Sequence, residues 1–136
     1  MRKQTGETLS VKKSGDKIYI PDIYTPDEGD VIWIQLNPQA GCEQWGHRPA
    51  VVISPMFYNQ RGLAIVCPIR TRGKGHPFEV KVPSNLKTEG VILVDQIKSL
   101  DWKTREAELI EKINQETLYE IKNILNCIIL PSVETN

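Results

Sequence analysis

Val31-Ile32-Trp33-Ile34-Gln35-Leu36 and Pro49-Ala50-Val51-Val52-Ile53-Ser54 decide the fold. Both are short, rich in β-branched and aromatic residues, and bounded by turn formers, the pattern of β-strands. In the first, Val31, Trp33 and Gln35 alternate with Ile32, Ile34 and Leu36. Apolar groups therefore fall on both sides of the strand, which is expected to be largely buried. Pro26-Asp27-Glu28-Gly29-Asp30 supplies turn chemistry ahead of it. After it, Asn37-Pro38-Gln39-Ala40-Gly41 breaks the strand and opens a polar loop, Gly41-Cys42-Glu43-Gln44-Trp45-Gly46-His47-Arg48. This loop runs an acid, an imidazole and a guanidinium straight into the second strand. Loops held by a rigid strand are where chemistry usually sits.

Downstream, Leu63–Ile69 reads as a third strand, with Pro68 marking a strand end or a sheet edge. Arg70–His76 reads as a glycine-punctuated basic hairpin tip, and Phe78–Val82 as the returning fourth strand. Gly90–Ile97 is the fifth, carrying Asp95 and Gln96 near its end. Trp102 is placed to close the core. Glu106–Ile113 fits neither period cleanly and is read as a sixth strand. Leu118, Ile121, Leu125 and Ile128 then repeat at intervals of three and four, one face of a helix, with Asn114 as N-cap and Pro131 as the stop. Five or six short strands followed by one helix predict a mainly β fold, a small barrel with the helix packed on it.

Upstream, residues 1–23 read as a flexible extension of low hydrophobicity, in which only Ile18-Tyr19-Ile20 has the character of a strand. Residues 24–131 form the expected domain, and 132–136 a tail. The whole chain has 136 residues, which fits one domain, and a formal net charge of +0. No global field attracts nucleic acid, so such a partner must be held by a local cluster. Cys42, Cys67 and Cys127 are odd in number and widely spaced, the mark of reduced thiols in a cytoplasm. No apolar run approaches the ~20 residues of a membrane span. Met1-Arg2-Lys3-Gln4 leads into polar residues, unlike the apolar core of a signal peptide. No metal-ligand spacing, phosphate-binding loop or dinucleotide fingerprint is present in the sequence, so no metal site or cofactor is expected.

Two clusters carry chemistry. Glu43 has the character of a general base, with His47 or Arg48 as its partner. Arg70, Arg72 and Lys74, with Arg61 and His76 nearby, concentrate cations beside the flat faces of Phe78 and Trp45. Cations that hold phosphates and rings that stack on bases suit single-stranded nucleic acid, although a charge run is also the usual make-up of a solvated tip. RNA can be cut without a metal when its 2′-hydroxyl attacks the adjacent phosphorus. A base then takes the proton and a cation stabilises the phosphoryl oxygens, roles open to Glu43 and Arg48.

Pro26–Trp33, Asn37-Pro38 through Gly41, Glu43-Gln44 and Gly46–Pro55 together resemble the MazF/PemK family of toxin endoribonucleases. Tyr58-Asn59, Lys74–Val80, Val94–Ser99 and the C-terminal helix extend the match over most of residues 24–130. The resemblance implies an SH3-like β-barrel acting as a homodimer. It implies sequence-specific, metal-independent cleavage of single-stranded RNA to a 2′,3′-cyclic phosphate and a 5′-hydroxyl. It also implies a cognate MazE-like antitoxin whose acidic, flexible tail covers the RNA groove. By this likeness Glu43, Arg48 and Asp95 are catalytic. RNA contacts fall to His47, Arg70, Thr71, Arg72, Lys74, Phe78 and Gln96. One position departs: Arg70 stands where the family has the first threonine of Pro-x-Thr-Ser/Thr, and Thr71 matches the second. Alternation along a strand sends neighbours to opposite faces, so Thr71 does not simply replace it. That departure keeps a catalytically weak RNA-binding homologue as an alternative, and the same barrel also hosts gyrase-binding toxins.

Overall fold

The computed structural model describes residues 24–36 and 46–130 with their side chains, and residues 7–11 and 17–21 by their backbone pairing. Gly29 turns the chain into the main sheet at φ +89°, a left-handed conformation that suits glycine. Asp30 follows, fully buried, its carboxylate accepting from the Tyr24 hydroxyl and the Asp27 amide and lying 3.5 Å from Lys112 Nζ. A buried charge needs such partners.

The elements are β1 (Glu7–Val11), β2 (Lys17–Pro21), β3 (Asp30–Gln35), β4 (His47–Val52), α1 (Met56–Asn59), β5 (Leu63–Arg70), β6 (Glu79–Lys81), β7 (Val91–Leu93), a 3-10 turn (Val94–Gln96), β8 (Lys98–Asp101), β9 (Glu108–Lys112) and α2 (Gln115–Ile129). Seven strands form one antiparallel sheet in the order β6-β7-β5-β4-β3-β9, with β8 also paired to β5. The expected β architecture with a C-terminal helix is present. β1 and β2 form a separate antiparallel pair, Thr8 opposite Ile20 and Ser10 opposite Ile18. Ile18-Tyr19-Ile20 thus pairs, with a partner strand that the sequence did not announce.

Alternation divides the sheet between two apolar clusters. Val31, Val51, Cys67 and Ile69 pack with Val80, Ile92 and the helix residues Leu118, Ile121 and Leu125. Ile32, Ile34, Ala50, Val52, Ala64 and Val66 pack instead with Leu100 and Trp102. Burial on both faces explains why these strands read as nearly continuous apolar runs. Asn114 caps α2, its Oδ1 accepting from the Thr117 amide at 2.7 Å. Ile128 continues the apolar face of α2 beyond the core and is 41% exposed.

Four expectations are corrected. Pro68 is neither a strand end nor an edge: it is buried within β5, opposite Ala50. The Ile53 amide donates to Ile65 O, so odd residues of β5 hydrogen-bond toward β4 and even ones away from it. On that far side β8 pairs residues 63–66 and β7 pairs 69–70, so Pro68 falls in the gap where no amide is needed. Second, Arg70–His76 is not the tip of a β5–β6 hairpin, because β7 lies between those strands. Third, Gly90–Ile97 is not one strand; β7 stops at Leu93 and the 3-10 turn redirects the chain into β8. Fourth, the strands of the main sheet number seven, and the short helix α1 joins β4 to β5.

Asn59, at the end of α1, is fully buried. Its Oδ1 accepts from Ser54 Oγ at 2.6 Å, and its Nδ2 donates to Pro26 O at 2.7 Å and Ser54 O at 2.9 Å. Its own carbonyl accepts from Trp102 Nε1 at 2.8 Å. Removing the amide strands several buried groups. Asn59→Ala is therefore expected to lower the unfolding free energy by roughly 3 kcal/mol, read by urea denaturation. An unchanged midpoint would show that the hub is dispensable.

Glu111 ties the 82–90 connection to β9 by accepting from the amides of Lys87 and Thr88 and from Thr88 Oγ1. Burial pushes its carboxyl up, but these hydrogen bonds outweigh it and hold the pKa below the ordinary value. A folded pKa below the unfolded one, about 4.3, gives stability that is present above the unfolded pKa and is lost as pH falls through the folded one. The drop in Tm between about pH 5 and pH 3 should therefore be shallower in Glu111→Gln than in the parent.

Candidate functional site

The β4–β5 register pairs Val52 with Val66, Val51 with Cys67 and Ala50 with Pro68. Continued by one same-face step, it sets Arg48 opposite Arg70. Both line an open cleft of about 370 Å³, together with Leu36, Pro68, Ile69, Leu93, Gln96 and Lys98. Three cations and no carboxylate are among these residues. No salt bridge to a described carboxylate neutralises Arg48 or Arg70. Two guanidiniums side by side repel each other unless an anion lies between them. Planar, multidentate donors suit a phosphate.

Leu36 and Arg48, on either side of residues 37–45 in the chain, both line this cleft. The Leu36 amide donates to Gly46 O at 2.8 Å, and Gln35 pairs with His47. A Cβ at Gly46 would meet the end of the Gln35 side chain, which would have to move aside. Glu43 and Trp45 lie outside the described residues. His47 does not line the cleft; its ring stacks on Trp33, with centroids 5.9 Å apart and planes at 14°.

Asp95 and Gln96 arrive on the 3-10 turn, and Gln96 lines the cleft while Asp95 is exposed beside it. Burial, with a smaller push from the Asp95 charge, raises the Cys67 thiol to about 12. Cys67 is thus a packing residue and not a nucleophile. Arg72 and Lys74 are exposed on the turn after β5 and line no part of the cleft. Thr71 lines a different pocket from Arg70, as expected of adjacent residues.

Sequence reasoning missed Glu79, which organises that turn. It accepts from the amides of Lys74 at 2.8 Å and Gly75 at 2.9 Å and lies 3.4 Å from His76 Nε2. The Lys74 hydrogen bond foremost, with that of Gly75 and the charges of His76 and Arg70, outweighs burial and holds its carboxyl below the usual range. The His76 ring lies 5.8 Å from that of Phe78, which is 39% exposed. An acid just after a Gly-Lys-Gly turn is the signal that could have found it. Lys98 was also missed, because β8 was not read as a strand.

Gly90 brings β7 against the end of β5. Its φ is +128°, and a Cβ there would collide with the Arg70 carbonyl. Only glycine lets the Arg70 backbone sit so close to its neighbour.

A family model for the PemK-like, MazF-like toxin of type II toxin-antitoxin systems matches residues 27–129. The endoribonuclease toxin MazF of Escherichia coli strain K12 is 46% identical over 107 residues, covering 78% of this chain and 96% of that protein. The crystal structure of MazF from Deinococcus radiodurans superposes with a TM-score of 0.71 at 44% identity, covering 78% of this chain and 97% of that one. A MazE–MazF crystal structure from the same organism gives 0.70 at 38% identity, with coverages of 80% and 99%.

A pair of arginines with no ion pair to a carboxylate among the described residues makes the fold sensitive to anions. Millimolar sulfate is expected to raise the Tm of the parent more than that of Arg48→Ala or Arg70→Ala, because anion binding to the native state stabilises it. Equal shifts in all three proteins would show that the cleft holds no anion.

Proposed function

The chain belongs to the PemK-like, MazF-like toxins of type II toxin–antitoxin systems, and we propose that it cuts single-stranded RNA at the Arg48–Arg70 cleft by 2′-hydroxyl attack. Endoribonuclease activity follows from the relatives that carry that name over nearly their whole length. The observation that carries the site assignment is the convergence of Arg48 and Arg70 on one cleft at the mouth of the loop that contains Glu43.

In the proposed reaction the phosphate is held between the two guanidiniums. Glu43 takes the proton of the 2′-hydroxyl, whose oxygen attacks the adjacent phosphorus. Arg48 stabilises the charge growing on the phosphoryl oxygens. The bond to the 5′-oxygen breaks and that oxygen takes a proton from water, leaving a 2′,3′-cyclic phosphate and a 5′-hydroxyl, while Glu43 returns its proton to solvent. Gln96 lines the cleft and positions the substrate, Asp95 beside it in the chain is taken as a further catalytic group, and Lys98 adds long-range attraction. Arg70, in place of the family threonine, supplies a second phosphate contact. Exposed Arg72, Lys74 and Phe78, with Thr71 and His47, extend the RNA-binding surface beyond the cleft.

A MazE-like antitoxin with an acidic tail would compete with RNA for the same cations, and MazE–MazF complexes among the structural relatives favour such a partner. The toxin domain is taken to span residues 24–131, to act as a homodimer, and to work in the cytoplasm where its RNA is. No helix among the described residues is long and apolar enough to cross a membrane.

Arg48→Ala and Glu43→Gln should each lower cleavage at least ~100-fold with the fold intact, as for lost transition-state groups. An RNA with one 2′-deoxy sugar at the cut site should bind and resist cleavage, with EDTA present throughout. Normal cutting of that substrate would mean that water is the nucleophile.

A further inference from the structure

Thr71, Lys81, Ser84, Leu86, Glu89 and Gly90 are among the residues around a second open pocket, of about 350 Å³. Its walls are fixed without a ligand. The Val82 amide donates to Gly90 O at 3.0 Å and closes the base of the 82–90 connection. The Leu86 amide donates to Pro83 O at 3.2 Å, and the following residues are tied to Glu111 on β9. Leu86 is half-buried and offers an apolar surface. Lys81 and Glu89 are exposed and line the same pocket, and no ion pair joins them to each other or to another described residue. Pockets with apolar walls and a few convergent polar groups bind small planar ligands.

The two pockets lie on either side of the end of β5: Arg70 lines the first cleft, while Thr71 and Val91, the register partner of Arg70, line the second. An RNA strand whose phosphate rests on Arg70 and which rounds the end of β5 brings a neighbouring nucleotide to Thr71. We propose that the second pocket is a nucleobase subsite that reads a base flanking the cut, with guanine the best match. Lysine only donates hydrogen bonds and an ionised glutamate only accepts them. Guanine carries two adjacent N–H groups beside a carbonyl on its Watson–Crick edge. Glu89 can take both N–H groups while Lys81 donates to the carbonyl, and the lysine stem and Leu86 cover the ring. This inference rests on the reading of the chain as an RNA-cutting enzyme.

Glu89→Ala and Lys81→Met test it, since both side chains are exposed and neither supports the core. Parent and variants are given an RNA of randomised sequence, and the cut ends are sequenced. In parallel, binding is measured for four oligonucleotides that differ at one flanking base and carry a 2′-deoxy sugar at the cut site. The parent should favour guanine at one flanking position. Glu89→Ala should reduce that preference about tenfold in both assays, the worth of a good bidentate contact, while other positions stay unchanged. Unchanged preference in both variants by both assays overturns the pocket and leaves the nuclease reading standing. A loss that falls on another base overturns the guanine assignment. If the parent cuts no RNA, the nuclease reading fails, and the binding series alone decides the pocket: no base discrimination there overturns it.

Discussion

The Asn59 amide and the Ser54 hydroxyl set the register on which the rest depends. Ser54 Oγ donates to Asn59 and accepts from the Ile65 amide at 2.8 Å, which fixes where β5 lies against β4. Ile53 bonds Ile65 in the same place. A slip of one residue would turn every β5 side chain to the other face, moving Val66 out of the Trp102 cluster and Cys67 out of the helix-packed one. It would also bring Ile69 or Thr71, not Arg70, opposite Arg48. The electrostatics of the cleft are therefore decided about five residues away, by a neutral polar network in the core. The same network reaches Trp102 and Pro26, so it joins the second apolar cluster to the turn that starts the sheet.

Burial on both faces leaves little of the central sheet free for chemistry. β3, β4 and β5 give most of their middle residues to the two cores. Apart from the buried Asp30 that opens β3, charge appears only where those strands run out, at Arg48 near the start of β4 and Arg70 at the end of β5. Antiparallel pairing puts these two ends together. The stable part of the fold and the proposed reactive part are thus different ends of the same strands. Rigid strands hold the guanidiniums in place despite their mutual repulsion, the preorganisation that charge stabilisation requires.

Local pattern made much of this visible. The alternation from Val31 to Leu36, the Asn114 cap and the Leu118–Ile121–Leu125 face all follow from short-range rules, and the structure bears them out. Arg48 was legible for the same reason, as a charge where a polar loop meets an apolar strand. What failed depended on distant partners. Pro68 looks like a strand breaker until the gap between β7 and β8 is known. The turn at Val94–Gln96 is hidden in an apolar run that also suits a strand. The pairing of Arg48 with Arg70 requires a register that neither segment states by itself. Lys98 and Glu79 act through neighbours from other strands or through backbone amides, which side-chain chemistry alone does not reveal.

The hydrogen bond between Leu36 and Gly46 has a wider consequence. It closes the 37–45 connection at its base, so the strand pairing beneath does not depend on how many residues the connection holds. For a connection sealed in this way, doubling its length costs only about 0.6 kcal/mol of closure entropy. Residues can thus be added to the segment, with Glu43 kept, while the barrel below continues to fold in the same register.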